Sequence, residues 1–231
     1  MVRQQDKQLS EKLQKINNNI MKYIFENWRR FITEDNGGTY PFRIFCDMDG
    51  VLVDLVKGII DELHLKVDDE RQKKAMMDVL SSGKPWKDFK TSAQGKEVLK
   101  LIYKTLGNDA DFWASLPQMP EAQKLWDFIS VYDPIILSAP WDKDSAKGKE
   151  MWTSNLADNL RPTPSRVILT HDKYKYALNK ETGSPNVLID DMDKFLRPWE
   201  EAGGIAIKHT SANSTIRQIK ELMDKGEESD E

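Results

Sequence analysis

Two aspartates one residue apart, Asp47 and Asp49, end an apolar run that begins at Phe42 and stand directly before Gly50. Such a run is typical of a buried strand, on which side chains at i and i+2 point the same way. We therefore expect both carboxylates to emerge together where the strand ends. Close carboxylates in a partly buried cleft need a cation or a shared proton, and the hard cation Mg²⁺ prefers such oxygens. Alone, Asp-Met-Asp-Gly is equally typical of an acidic turn.

Three later segments place polar residues after apolar runs. Ser138 and Ala139 follow Ile-Ile-Leu, Lys173 ends Leu-Thr-His-Asp-Lys, and Asp190 and Asp191 follow Val-Leu-Ile. A serine before Ala-Pro is usually a turn residue, and Asp-Asp after a strand is usually a helix cap. Their combination in this order favours one site to which several strands contribute.

The elements that must position these residues alternate along the chain. Short apolar strands are predicted at 133–138, 166–170, 186–190 and 204–208, and helices at 121–131, 145–160, 194–202 and 215–223. Nearly continuous apolar strands between helices indicate a parallel sheet that is covered on both faces, hence an α/β fold. Ligands of such sheets bind beyond the carboxyl ends of the strands.

Three helical patterns, at 55–63, 68–80 and 92–106, lie between the first strand and the rest of the sheet. Their position predicts an inserted helical cap. Aromatic residues of this region, Trp86, Phe89, Phe112 and Trp113, are candidates to stack on a nucleobase, and the alternative is that they form the hydrophobic underside of the cap.

The sequence Asp-x-Asp-Gly-Val-Leu-x-Asp at residues 47–54 resembles the first motif of the haloacid dehalogenase (HAD) superfamily of aspartate-nucleophile phosphatases. The resemblance implies a three-layer Rossmannoid parallel sheet with a small helical cap. The catalytic core would then comprise residues 39–54 and 116–225, and the cap residues 55–115.

The resemblance also implies roles for the two aspartates of this motif. Asp47 matches the nucleophile that forms an aspartyl phosphate, and Asp49 matches the general acid and base. Mg²⁺ would be bound by the Asp47 carboxylate, the Asp49 backbone carbonyl and Asp190, with Asp191 in support. The second carboxylate favours a phosphatase, because the dehalogenase branch lacks it.

Further resemblance concerns the substrate. Ser138, next to Ala139, and Lys173 match the hydroxyl and ammonium that contact phosphoryl oxygens in the superfamily. The cap placement, together with Leu-Thr-x-Asp-Lys followed by Leu-Ile-Asp-Asp, is similar to the 5'(3')-deoxyribonucleotidases. This implies a magnesium-dependent hydrolase of nucleoside monophosphates. His171 stands where those enzymes tend to have arginine, so its contact with phosphate or sugar is open.

Residues 1–38 differ from the rest of the chain. Met21 to Glu34 contains an amphipathic helical pattern that is typical of a helix packed on its own domain. It also resembles the capsid-targeting leaders of T-even-like bacteriophages, with Ile-Thr-Glu as the site of a prohead protease. The resemblance implies cleavage after Glu34 and leaves both Met1 and Met21 as candidate starts. It also raises the alternatives of a virion-packaged or structural protein with a HAD-like scaffold.

Composition narrows the function classes. The 231 residues carry a net charge of −4 and are 39% hydrophobic, so we expect a globular protein that binds neither duplex nucleic acid nor a membrane. A small phosphate ester remains a candidate substrate, as does a nucleic-acid end. The absence of a secretory signal leads us to expect a cytoplasmic location, in the host cytoplasm or packaged in the virion if the chain is phage-encoded. A homodimer stays open, and residues 226–231 are predicted to form a disordered acidic tail.

Overall fold

Five parallel strands form the centre of the fold in this computed structural model, which describes residues 42–80, 92–154 and 159–227. The strands are β1 (Ile44–Cys46), β2 (Ile135–Ser138), β3 (Arg166–Leu169), β4 (Val187–Asp190) and β5 (Ile205–Lys208). They lie in the order β3-β2-β1-β4-β5, with Phe45 paired to Ile135 on one side and to Leu188 on the other. β1 therefore lies at the middle of the sheet, between β2 and β4.

Helices connect the strands and also fill the interval between β1 and β2. They are α1 (Leu55–Lys66), α2 (Glu70–Leu80), α3 (Ala93–Leu106), α4 (Ala110–Ala114), α5 (Ala122–Ile129), α6 (Lys143–Trp152), α7 (Asp193–Glu201) and α8 (Ala212–Glu227). Short 3₁₀ helices follow α5 at Ser130–Tyr132 and β3 at Lys173–Tyr176. Of these described helices, α1 to α5 lie between β1 and β2, whereas α6 follows β2, α7 follows β4 and α8 follows β5.

Alternation along the strands produces two hydrophobic layers. Ile44 and Cys46 of β1 belong to a core that also contains Ile219 of α8, whereas Phe45 packs in a second core with Trp199 of α7. Successive side chains of a strand point to opposite faces, so helices cover both faces of the sheet. The predicted α/β class with a parallel sheet is confirmed.

Element boundaries differ from the prediction at helix ends. α6 begins at Lys143 because Asp142 caps it, with the Asp142 carboxylate accepting a hydrogen bond from the Ser145 amide at 2.8 Å. α8 continues to Glu227, past the predicted end of that helix at Met223. The leader of residues 1–38, Trp86, Phe89 and the end of the tail lie outside the described residues. Among the helices that are described, none is long and apolar enough to cross a membrane.

Candidate active site

The carboxyl ends of three neighbouring strands carry the polar residues that the sequence singled out. Asp47 follows β1, Ser138 ends β2 and Asp190 ends β4. The Asp47 amide donates a hydrogen bond to the Ile189 carbonyl at 2.9 Å, which continues the pairing of β1 with β4 past the end of β1. All three polar residues are buried, with exposed fractions of 4% or less.

A tight turn after β1 fixes the position of Asp49. The Leu52 and Val53 amides both donate to the Met48 carbonyl at 2.8 Å, so the chain turns back instead of remaining extended. Gly50 has a φ of +79°, a conformation that side-chain-bearing residues rarely adopt. A Cβ at this position would also lie 2.6 Å from the Asp191 carboxylate. This turn, and not a continuing strand, therefore sets the direction of Asp49.

Three carboxylates converge at this edge of the sheet. Asp47, Asp190 and Asp191 each offer an oxygen within 4.8 Å of the others. Burial, and then the charge of Asp47, raise the pKa of Asp190 and of Asp191 to about 7. The Asp190 Oδ1 accepts a hydrogen bond from the Met192 amide at 2.8 Å. Without a counterion, these groups therefore resist ionisation.

Lys173 lies among these carboxylates. Its ammonium is 2.7 Å from Asp190 Oδ2 and 2.9 Å from Asp47 Oδ1, the second contact being an ion pair that lacks hydrogen-bond geometry. Burial would lower the pKa of Lys173, but the two carboxylates outweigh it and raise that pKa. The ammonium also faces the Phe195 ring at 4.3 Å. In the structure, Lys173 therefore holds Asp47 and Asp190 in place.

Three further predicted substrate contacts, Ser138, Ala139 and His171, line a cavity beside these carboxylates. Ser138 is 1% exposed, and its hydroxyl has no hydrogen-bond partner among the described residues. Ala139 and the exposed His171 also border the cavity. An unpartnered buried hydroxyl of this kind is available to a bound ligand.

Lys149 was missed by the sequence analysis. Its ammonium is 1% exposed and lies 2.7 Å from Asp49 Oδ2. The buried residues of α6 are Ser145, Gly148, Lys149 and Trp152, a spacing that marks one helix face. A lysine within such a buried stripe was the signal that could have identified it.

The charges and oxygens of the site fit a divalent cation. Four carboxylates (Asp47, Asp49, Asp190 and Asp191) face the two ammonium groups of Lys149 and Lys173. When all are ionised, the site carries an excess of about two negative charges, which a divalent ion would neutralise. Asp47 Oδ1 and Asp191 Oδ1 are buried without a hydrogen-bond partner among the described residues. Carboxylate oxygens are the ligands that Mg²⁺ prefers, so Asp47, Asp190 and Asp191 could hold it.

The cavity has a volume of about 470 Å³, and apolar and aromatic residues form part of its lining. Tyr103 of α3 and Trp141 stack there at 4.8 Å with an interplanar angle of 25°, and Phe195 lies on the same cavity. Phe112 and Trp113 do not line it. They are 5% and 1% exposed in the core, which favours the alternative that they form a hydrophobic underside over contact with a base.

The burial of Phe112 and Trp113 has a packing cause. They lie on the short helix α4, which packs against α6 at Gly148. A Cβ at Gly148 would meet the Trp113 side chain and lie 2.6 Å from the Ala110 carbonyl. Because the two helices approach so closely, both aromatic rings are enclosed by the core.

Known proteins were compared with this chain. No protein-family profile matches the sequence, and no curated protein matches it. Solved structures that are similar to it are HAD-type hydrolases. A HAD-hydrolase from Bacillus subtilis bound to magnesium is 14% identical, with a TM-score of 0.45 over 71% of this chain and 87% of that one. A haloacid dehalogenase-like hydrolase from Streptococcus pneumoniae is 19% identical, with a TM-score of 0.42 over 72% and 83%. The L-2-haloacid dehalogenase from Xanthobacter autotrophicus is 17% identical, with a TM-score of 0.44 over 72% and 76%.

Proposed function

We propose that this chain is a magnesium-dependent phosphomonoesterase of the HAD type that dephosphorylates nucleoside monophosphates through an aspartyl phosphate. One observation carries the proposal: Asp47, Asp190 and Asp191 converge at the end of a cavity, next to Asp49. This arrangement offers a nucleophile, ligands for a cation and a separate carboxyl group that can transfer a proton.

In the first step, an Asp47 carboxylate oxygen attacks phosphorus, and the bond between phosphorus and the leaving oxygen breaks. The leaving oxygen takes a proton from protonated Asp49, so the products are an alcohol, an acyl phosphate on Asp47 and the Asp49 carboxylate. An alkoxide is a poor leaving group, and general acid catalysis of this kind typically contributes about 10²- to 10⁴-fold. The dehalogenase reaction releases a halide, which needs no proton. Because Asp49 can supply the proton that an alcohol leaving group needs, its presence favours an ester as the substrate.

In the second step, the Asp49 carboxylate takes a proton from water as the water oxygen attacks phosphorus. The bond between phosphorus and Asp47 breaks, inorganic phosphate leaves, and both aspartates return to their starting states. Lys173 lies 2.9 Å from Asp47 Oδ1, so it would keep the nucleophile oriented in both steps. The unpartnered Ser138 hydroxyl could donate a hydrogen bond to a phosphoryl oxygen.

Mg²⁺, when bound, would supply positive charge to the phosphoryl oxygens and relieve the repulsion among the carboxylates. Asp47, Asp190 and Asp191 are its proposed ligands, because their oxygens lie within 4.8 Å of one another. Asp49 Oδ2 is paired with Lys149, so we do not count the Asp49 side chain among the metal ligands. It therefore remains for proton transfer.

The apolar part of the cavity lining favours a substrate with a flat apolar part. Val56, Leu99 and Tyr103 come from helices that we assign to a cap of residues 55–115, and Trp141, in the loop after β2, stacks on Tyr103. About 470 Å³ lies within the usual range of small-molecule sites, roughly 300–1,000 Å³. A nucleobase could stack on these rings, and each stacked base contributes about 1–3 kcal/mol.

A phosphate-release assay tests the proposed function. The purified chain would be given a panel of ribonucleotides, deoxynucleotides and sugar phosphates with Mg²⁺. We expect turnover of at least one deoxynucleoside monophosphate, and its loss with EDTA and in Asp47→Asn. Absence of turnover across the panel would instead favour the scaffold alternative, and full activity of Asp47→Asn would exclude the covalent route.

The N-terminal residues carry a separate proposal. We propose that residues 1–34 are a removable leader, because Ile32-Thr33-Glu34 resembles a prohead protease site. The enzyme would then be packaged in a virion. Mass spectrometry of the protein from its natural source should find an N-terminus at Asp35, whereas an intact leader in mature particles would contradict this.

A further inference from the structure

Lys149 contacts the proposed proton donor through a buried ion pair. We propose that Lys149 is a positioning residue that orients Asp49 for proton transfer to the leaving oxygen, an inference that rests on the proposed function. The ammonium lies 2.7 Å from Asp49 Oδ2, and the side chain of Lys149 is only 1% exposed against 21% for that of Asp49. The cation is therefore enclosed, while Asp49 borders the cavity.

The two oxygens of Asp49 have different surroundings. Oδ2 accepts the hydrogen bond from Lys149, whereas Oδ1 is buried without a hydrogen-bond partner among the described residues. A carboxyl group with one oxygen fixed can rotate little about its last bond. Lys149 therefore fixes the rotation of the Asp49 carboxylate through Oδ2.

The packing of α6 explains why the ammonium stays in place. Gly148 allows α4 to approach α6, and this brings the Trp113 ring to 5.8 Å from the Lys149 ammonium. Asp49 is the ion-pair partner that the described part of the chain provides for Lys149. A buried ammonium without its partner is costly, so the enclosure keeps the pair formed.

Proton transfer matters more for some leaving groups than for others. When the ester bond to phosphorus breaks, an alkoxide must take the proton of Asp49, whereas the anion of a strongly acidic phenol leaves without one. A variant whose proton donor has lost its orientation should therefore react more slowly with the alkyl ester and at a nearly unchanged rate with the aryl ester. A merely structural loss would lower both rates equally.

The test compares Lys149→Met with the wild type on two substrates, a deoxynucleoside 5'-monophosphate and 2,4-dinitrophenyl phosphate. The readout is kcat/KM, because it reports the steps up to phosphoryl transfer. We expect a loss of ~10- to 100-fold on the nucleotide, part of the whole contribution of a general acid, and less than about threefold on the aryl ester. Lys147→Met removes an exposed lysine from the same helix and should change neither value.

Several outcomes would overturn this inference and leave the proposed function intact. One is an active wild type together with a Lys149→Met variant that loses kcat/KM equally on both substrates, or loses none. In an Asp49→Asn background, adding Lys149→Met should cost little more on the nucleotide, and a further loss of about tenfold would contradict the inference. If Lys149→Met does not fold, Lys149→Arg replaces it, since the longer planar group should shift the substrate ratio in the same direction. Absence of any wild-type turnover would instead reject the proposed function.

Discussion

Gly50 meets two requirements of the site, a positive φ and space for the Asp191 carboxylate. Its φ of +79° is rarely adopted by other residues, and the Asp191 carboxylate occupies the space of a Cβ. Gly50→Ala should lower the free energy of unfolding by about 1–3 kcal/mol and weaken Mg²⁺ binding, because Asp191 must move. Chemical denaturation and metal titration would measure both effects.

Gly183→Ala is the matched control for Gly50→Ala. Gly183 has a φ of +74°, but nothing lies within 4 Å of its Cβ position. It therefore carries the conformational penalty without the crowding of Asp191. An equal loss of stability in the two variants, with Mg²⁺ binding intact in both, would contradict the role given to Gly50.

The raised pKa values of Asp190 and Asp191 predict how stability depends on pH. Their pKa is about 7 in the folded chain and 3.8 as the reference value, so between these limits the folded state binds more protons than the unfolded state. Without metal, the contribution of these groups to the free energy of unfolding should fall as pH rises from about 4 to 7.

Mg²⁺ should reverse this trend, because it binds the ionised carboxylates. The rise in Tm on adding Mg²⁺ is expected to be larger at about pH 8 than at about pH 5.5, where protons compete for the same oxygens. Thermal unfolding with and without the ion measures this difference. The pH dependence should be weaker in Asp191→Asn, and equal shifts at the two pH values in the wild type would count against a carboxylate metal site.

At the scale of elements, close packing of α4 on α6 encloses Lys149 and the aromatic rings beside it. Gly148→Ala would bring a Cβ to 2.6 Å from the Ala110 carbonyl and into contact with Trp113. We expect a loss of about 1–3 kcal/mol in the free energy of unfolding, since both neighbours are fixed in a packed core. Lys147→Ala, on the exposed face of the same helix, should stay within about 0.5 kcal/mol of the wild type in urea denaturation. Similar losses in both variants would contradict the packing argument.

The strands, and the polar residues at their carboxyl ends, were predictable from the sequence. Apolar runs such as Val187–Asp190 end in polar residues, and in a parallel sheet these ends lie at one edge. The approach of Lys149 to Asp49 was not, since 100 residues separate them and only the packing of α6 brings them together. Phe112 and Trp113 show the same limit. Their residue type suggested contact with a base. Which face of the short helix α4 is buried depends, however, on residues distant in sequence, such as Gly148 of α6.

For the whole molecule, the apolar side of the cavity should determine substrate choice. Tyr103 and Trp141 stack on each other and line this cavity. Trp141→Ala should raise KM for a nucleoside monophosphate by roughly 5- to 160-fold, the equivalent of about 1–3 kcal/mol for one stacked base, and leave KM for deoxyribose 5-phosphate nearly unchanged. Steady-state kinetics on both substrates would measure this. A similar rise in both KM values would mean that the substitution weakens contacts to the phosphate, and it would contradict stacking on the base.

The central claim, phosphoryl transfer to Asp47, is tested most directly by trapping the intermediate in Asp49→Asn. With 2,4-dinitrophenyl phosphate the first step needs no proton donor, but the second step has lost its base and should be slow. After rapid acid quench, mass spectrometry should find one phosphoryl group on the peptide that contains Asp47, and none in Asp47→Asn/Asp49→Asn. Turnover by Asp49→Asn without protein-bound phosphate, or phosphate retained by the double variant, would contradict the account.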